Sequence, residues 1–104
     1  MKTVATRFAP SPTGPLHIGG VRTALFNWLY SKNKGGKFYL RIEDTDKERS
    51  KDKFKNQIIN SLKWIGINYE DSEYIQSKKI DDHINVANEL LKKGLAYKCY
   101  CSSD

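Results

Sequence analysis

Phe8-Ala9-Pro10-Ser11-Pro12-Thr13-Gly14-Pro15-Leu16-His17-Ile18-Gly19-Gly20 is the stretch that decides how this chain folds. It holds all three prolines of the sequence and three of its seven glycines. The prolines lock φ and stiffen a turn. The glycines let a flat or charged ligand come close to the backbone. A β-prone segment, Thr3 to Phe8, precedes the loop, and a helical apolar pattern follows it. A strand that turns stiffly into a helix presents unpaired N–H groups and the positive end of the helix dipole. That is a place to hold a phosphate chain.

Working outward, Gly19 to Ser31 is expected as a helix, with Val21, Leu25, Trp28 and Leu29 as its buried stripe. Asn33-Lys34-Gly35-Gly36 supplies the glycines that stop it. Phe38-Tyr39-Leu40-Arg41-Ile42 follows as a second strand, apolar enough for a buried parallel position. Strand, helix and strand in about forty residues make a βαβ unit. Beyond it, Ser50 is the expected N-cap of a helix carrying Phe54, Ile58, Leu62 and Ile65 and ending at Gly66. A third helix is expected from Lys78 to Lys93, with Ile80, Ile84, Ala87 and Leu91 as its stripe and Gly94 as its stop. Leu95 to Cys99 is the candidate third strand, and Trp28, Trp64, Phe26 and Phe54 are assigned to the core. The alternation of strands and helices gives an α/β fold with a parallel sheet. Two firm strands make an unfinished sheet, so the chain reads as the first part of a longer protein.

The sequence has 104 residues, 38% hydrophobic and 29% charged, the balance of a soluble globular domain. No stretch approaches the roughly 18 apolar residues of a membrane span. Met1 to Arg7 has no apolar signal core, which argues against export. A disulfide between Cys99 and Cys101, one residue apart, would be strained, so reduced thiols and a cytoplasmic location are expected. A net charge of +6 suits a polyanionic partner or a phosphate-rich ligand. The run Lys47, Arg49, Lys51, Lys53 and Lys55 reads first as a solvated helix face.

In a parallel sheet the ends of the first two strands share one edge. That brings Arg7 to His17 near Glu43-Asp44-Thr45-Asp46. One loop offers a guanidinium, hydroxyls, an imidazole and helix N–H groups; the other offers three carboxylates. This suits a ligand of both charges, such as an amino acid beside a nucleotide. Arg7 would take a carboxylate with its planar fork, Glu43 an ammonium, and His17 with the helix start a phosphate. Asp44 and Asp46 could equally be an acidic turn that caps the next helix.

Arg7 to Gly14 with His17-Ile18-Gly19-Gly20 resembles the N-terminal signature of class I aminoacyl-tRNA synthetases, the "HIGH" motif. Arg41-Ile42-Glu43-Asp44-Thr45-Asp46 resembles the segment that marks their glutamyl branch. The resemblance extends through Cys101 and implies an incomplete Rossmann-like parallel sheet with flanking helices, the first half of a class I catalytic domain. Residues 1–98 would be that half, and 99–104 the start of the acceptor-binding insertion. The implied activity is ATP-dependent activation of glutamate and its transfer to the 3′ end of tRNA(Glu), with Mg²⁺ accompanying ATP. A monomer with no membrane association is implied for the full-length enzyme.

By position, the resemblance gives Arg7, Ala9, Ser11 and Glu43 to glutamate and His17, Gly19 and Gly20 to ATP. His17 would stabilise charge on the α-phosphate. Thr45, Asp46 and Arg49 would approach the tRNA end. Cys99 and Cys101 would be half of a zinc site. Gly20 replaces the motif's last histidine, and the "KMSKS" loop is not in the sequence. Two alternatives stand beside this reading. One is a paralogue of the glutamyl-queuosine type that loads glutamate onto a modified base of tRNA(Asp). The other is a non-catalytic ATP- or RNA-binding module.

Overall fold

The computed structural model describes residues 2–103. The order is β1 (Ala5–Phe8), α1 (Ile18–Asn33), β2 (Lys37–Ile42), α2 (Asp52–Ile65), β3 (Tyr74–Ile75), a 3₁₀ turn (Gln76–Lys79) and α3 (Ile80–Lys92). The strands form one parallel sheet in the order β1-β2-β3. Phe8 lies opposite Leu40, so β1 and β2 end at the same edge.

Side chains alternate across β2 as the pleat requires. Phe38, Leu40 and Ile42 are buried in a core that also takes Phe8, Ala24, Ile58, Leu62, Ile67 and Ile75. Lys37, Tyr39 and Arg41 point to the opposite, open face. Helix α1 stops where glycine permits a positive φ, at Gly35 (φ 63), and α2 stops in the same way at Gly66 (φ 93). Gly36 is needed for another reason: a Cβ there would overlap the Val4 carbonyl, which accepts the Lys37 N–H at the start of the β1–β2 ladder.

Several expectations are corrected. Leu95 to Cys99 is not a strand; the third strand is Tyr74–Ile75, and Leu95 and Tyr97 are exposed. Ser50 does not cap α2. The Lys51 N–H is drawn to the Pro12 carbonyl (3.1 Å), which holds Lys51 extended as the N-cap and delays the helix to Asp52. The Ser50 hydroxyl is left buried without a partner. On α1 the buried positions are Ala24 and Ser31, with Leu25 and Trp28 half-buried against the core, while Leu29 is exposed. Small residues face the sheet because α1 lies close on β1, where the Thr6 hydroxyl donates to the Asn27 carbonyl (2.8 Å). Trp64 and Phe26 are exposed rather than core. Trp64 lines an open groove of about 770 Å³ beside α2. No residue of α3 is buried, and Ile80 and Ile84 face outward. Among the described residues, no helix is long and apolar enough to cross a membrane. Asp104, within the expected start of the insertion, lies outside the described residues.

Candidate active site

The two loops expected to meet at the sheet edge do meet. The Glu43 N–H donates to the Pro10 carbonyl (2.9 Å), tying the end of β2 to the proline-rich loop. That loop is anchored again by Lys51 on Pro12, and Pro12 is buried. Proline stiffness and two backbone ties therefore fix the loop before any ligand arrives.

Arg7 and Glu43 are brought together. The Arg7 Nη1 lies 3.7 Å from Glu43 Oε1, an ion-pair distance too long for a hydrogen bond. Both side chains are substantially open to solvent. Arg7 also lines a cavity of about 380 Å³ on the open sheet face, with Tyr39, Arg41 and Tyr74.

His17 occupies the N-cap of α1. Its Nδ1 accepts the Gly19 N–H at 3.1 Å, and its carbonyl takes the first helical bond from Val21. A nitrogen that accepts carries no proton, so the ring's N–H sits at Nε2, available to donate outward. Ser11, His17 and Gly20 line one cleft of about 230 Å³ with Pro10, Gly14 and Leu16. Gly19 is required by the cap itself: a Cβ there would stand 2.9 Å from His17 Cε1. Ala9 is half-buried between this cleft and Arg7 in sequence, while Ser11 is exposed.

Only one of the three acidic side chains faces the arginine. Asp44 accepts from the Ser77 N–H (2.9 Å) and hydroxyl (2.6 Å), so it caps the 3₁₀ turn after β3 rather than the following helix. Asp46 accepts from Arg49 Nε (2.6 Å) and from the Arg49 N–H (3.2 Å). Those bonds, the side-chain one foremost, hold its carboxyl below the usual aspartate value. Thr45 lies in a separate depression with Lys47, Ser77 and Ile80.

Cys99 and Cys101 are free and exposed, away from both clefts. Backbone and side-chain hydrogen bonding from Cys101 lowers the Cys99 thiol pKa. Two thiols supply half the donors of a tetrahedral structural zinc site. Among the described residues, no group of three or more His, Cys, Asp or Glu converges on one point.

Sequence reading passed over Arg41 and Tyr74. The Arg41 Nε donates to Glu43 Oε1 at 3.3 Å, and its guanidinium lies 5.2 Å from the Tyr74 ring centroid. The i, i+2 spacing of Arg41 and Glu43 at a strand end was the available signal, since it places both on one face.

Residues 3–104 match the family described as tRNA synthetases class I (E and Q), catalytic domain. The chain belongs to that family. Within it, the chain is similar to proteins of the glutamate branch. It is 81% identical to the glutamate–tRNA ligase of Pelagibacter ubique over 103 residues, which are 99% of this chain and 22% of that protein. It is 60% identical to glutamate–tRNA ligase 2 of the Wolbachia of Brugia malayi, over all of this chain and 23% of that one. A crystal structure of a glutamate tRNA ligase from Elizabethkingia meningosepticum, in complex with its amino acid, superposes with a TM-score of 0.80 at 44% identity. It covers 88% of this chain and 20% of that one. The chain thus spans about a fifth of the length of these proteins.

Proposed function

We propose that this chain is the N-terminal part of a cytoplasmic, monomeric enzyme that activates glutamate with ATP and transfers it to the 3′ end of tRNA(Glu). On this reading residues 1–98 are the first half of the catalytic domain, and 99–104 begin the acceptor-binding insertion. The observation that carries it is the pairing of Arg7 with Glu43 at the sheet edge, tied through Pro10 to the loop that ends in His17.

A glutamate carboxyl group displaces the long Arg7–Glu43 contact and takes the guanidinium as a two-pronged partner. The substrate ammonium takes Glu43, with Ser11 and the backbone at Ala9 beside it. A substrate carboxylate oxygen attacks the α-phosphorus of ATP; the bond to the bridging oxygen breaks and pyrophosphate leaves. Positioning and electrostatics carry such a displacement, and no protein nucleophile is required. The His17 Nε2–H and the start of α1 meet the charge on the α-phosphate, and Gly19 and Gly20 keep the helix start open to the nucleotide. Mg²⁺ arriving with ATP takes its oxygens from phosphate and water. The 3′-terminal ribose hydroxyl of tRNA then attacks the acyl carbon and AMP leaves, with Thr45, Asp46 and Arg49 near that end. Cys99 and Cys101 would hold zinc only with two further donors.

The test is ATP–pyrophosphate exchange by the full-length enzyme in the presence of tRNA. Exchange should depend on glutamate; equal exchange with glutamine or aspartate would overturn the assignment. Arg7→Ala should raise the glutamate KM about 100-fold, the scale of losing a charge-assisted contact worth about 2.7 kcal/mol, and leave the ATP KM unchanged.

A further inference from the structure

We infer that Arg41 is a positioning residue for recognition of the substrate's α-ammonium: it holds the Glu43 carboxylate toward the open sheet face, and Tyr74 braces it from β3. The inference rests on Glu43 as the ammonium ligand.

Glu43 stands between two guanidinium groups that are not equivalent. Arg41 is hydrogen-bonded to it at 3.3 Å, whereas Arg7 stands off at 3.7 Å. Arg41 is also the less exposed of the two, with 27% of its side chain open against 59% for Arg7. The covered group is the fixture and the open group is the one a ligand reaches. Both contacts fall on Oε1, which leaves Oε2 to accept from an ammonium. A carboxylate has acceptor capacity for both at once.

Fixing Arg41 needs a second support, because a long side chain with a single hydrogen bond still samples several rotamers. Tyr74 provides it. Arg41 and Tyr74 are direct partners in the β2–β3 ladder, and the guanidinium lies over the ring at 5.2 Å. The two-residue strand β3 thereby sets the position of a carboxylate beyond the end of β2. A further consequence concerns competition. When a substrate carboxylate claims Arg7, Glu43 loses one cationic neighbour. Arg41 keeps the carboxylate from following Arg7 into the substrate's place.

The full-length enzyme tests this with Arg41→Gln, whose amide nitrogen can stand where Nε does but carries no charge and no guanidinium to lie over Tyr74. The glutamate KM should rise about tenfold, as for loss of the charge from that hydrogen bond, with the ATP KM and the kcat within about twofold. Glutarate, which has both carboxyl groups and no ammonium, should inhibit Arg41→Gln and the parent with the same inhibition constant. A purely structural role would weaken glutarate and glutamate alike, and that result would overturn the proposal. Tyr74→Phe keeps the ring and should keep the parent KM. Tyr74→Ala should raise the glutamate KM in the same direction as Arg41→Gln, by less; an unchanged value would remove the brace from the proposal. Should Arg41→Gln fail to fold, Tyr74→Ala read against glutarate decides the same question. If Glu43→Gln leaves the glutamate KM unchanged, the reading of the site itself fails. If Glu43→Gln impairs glutamate and Arg41→Gln does not, only the role of Arg41 is wrong.

Discussion

The two faces of β2 differ in what holds them. On one, Phe38, Leu40 and Ile42 are at most 2% exposed and pack against α1, α2 and the chain beyond them. On the other, Tyr39 and Arg41 are half-buried, and Glu43 continues their row past the strand end. The first face is filled by residues of this chain. The second carries guanidinium groups and aromatic rings around a cavity, with the Glu43 carboxylate paired to Arg41 beside it. One strand therefore divides its labour by pleat: even-numbered positions secure the fold and odd-numbered positions present chemistry. A change on either face should be felt mainly in its own currency.

The largest effect that checks this division is on the covered face. Leu40→Ala removes a side chain 1% exposed at the centre of the sheet and should destabilise the protein by about 3 kcal/mol. Tyr39→Ala, its neighbour on the open face, should destabilise by less than half of that. Urea denaturation of both variants measures the contrast; equal losses would mean that the open face is as much a core as the other.

A second, smaller effect separates fold from chemistry at the start of α1. Gly19→Ala places a Cβ 2.9 Å from the His17 ring, which must swing off the cap and surrender the bond from the Gly19 N–H. The lost cap is worth about 1 kcal/mol, and the helix propensity gained by replacing glycine with alanine is of about the same size. On the proposed function, stability should therefore hold while ATP–pyrophosphate exchange by the full-length enzyme falls about tenfold, because the imidazole would no longer meet the α-phosphate. A stable variant with full exchange would remove His17 from the charge-stabilising role.

Much of this was legible in the sequence where the signal is local. The proline-rich loop, the Gly35 and Gly66 stops, the apolar run of β2 and the convergence of Arg7 with Glu43 all follow from residue types and short spacings. What stayed hidden depends on partners far along the chain. Strand β3 is two residues long, too short to show alternation, and exists because β2 offers Arg41 and Ile42 an edge to pair with. Asp44 reads as a ligand or a helix cap until Ser77, 33 positions away, claims both of its oxygens. Leu95 to Cys99 has strand-like composition but finds no edge among the described residues. Ser50 has the right chemistry for a cap and loses to a backbone tie between Lys51 and Pro12.

The smallest expected effect lies at the tip of the acidic segment, where neither face of the sheet reaches. Asp46 is half-buried, and the Arg49 guanidinium and N–H hold its carboxyl below the ordinary value. A carboxyl whose folded pKa is depressed adds stability above its unfolded pKa and loses it as the pH falls through the folded one. The turn at residues 47–49 should therefore loosen in acid, below the usual aspartate range, and be intact at neutral pH. An NMR titration of the Asp46 side-chain carboxyl carbon checks the direction. Asp46→Asn should abolish that acid transition, and added salt should weaken it because an open ion pair is screened. Global stability should barely respond to either change, since a solvent-exposed pair contributes little. A large loss on Asp46→Asn would show that the segment after β2 is part of what secures the fold, and that role would then not be confined to the even-numbered positions of β2.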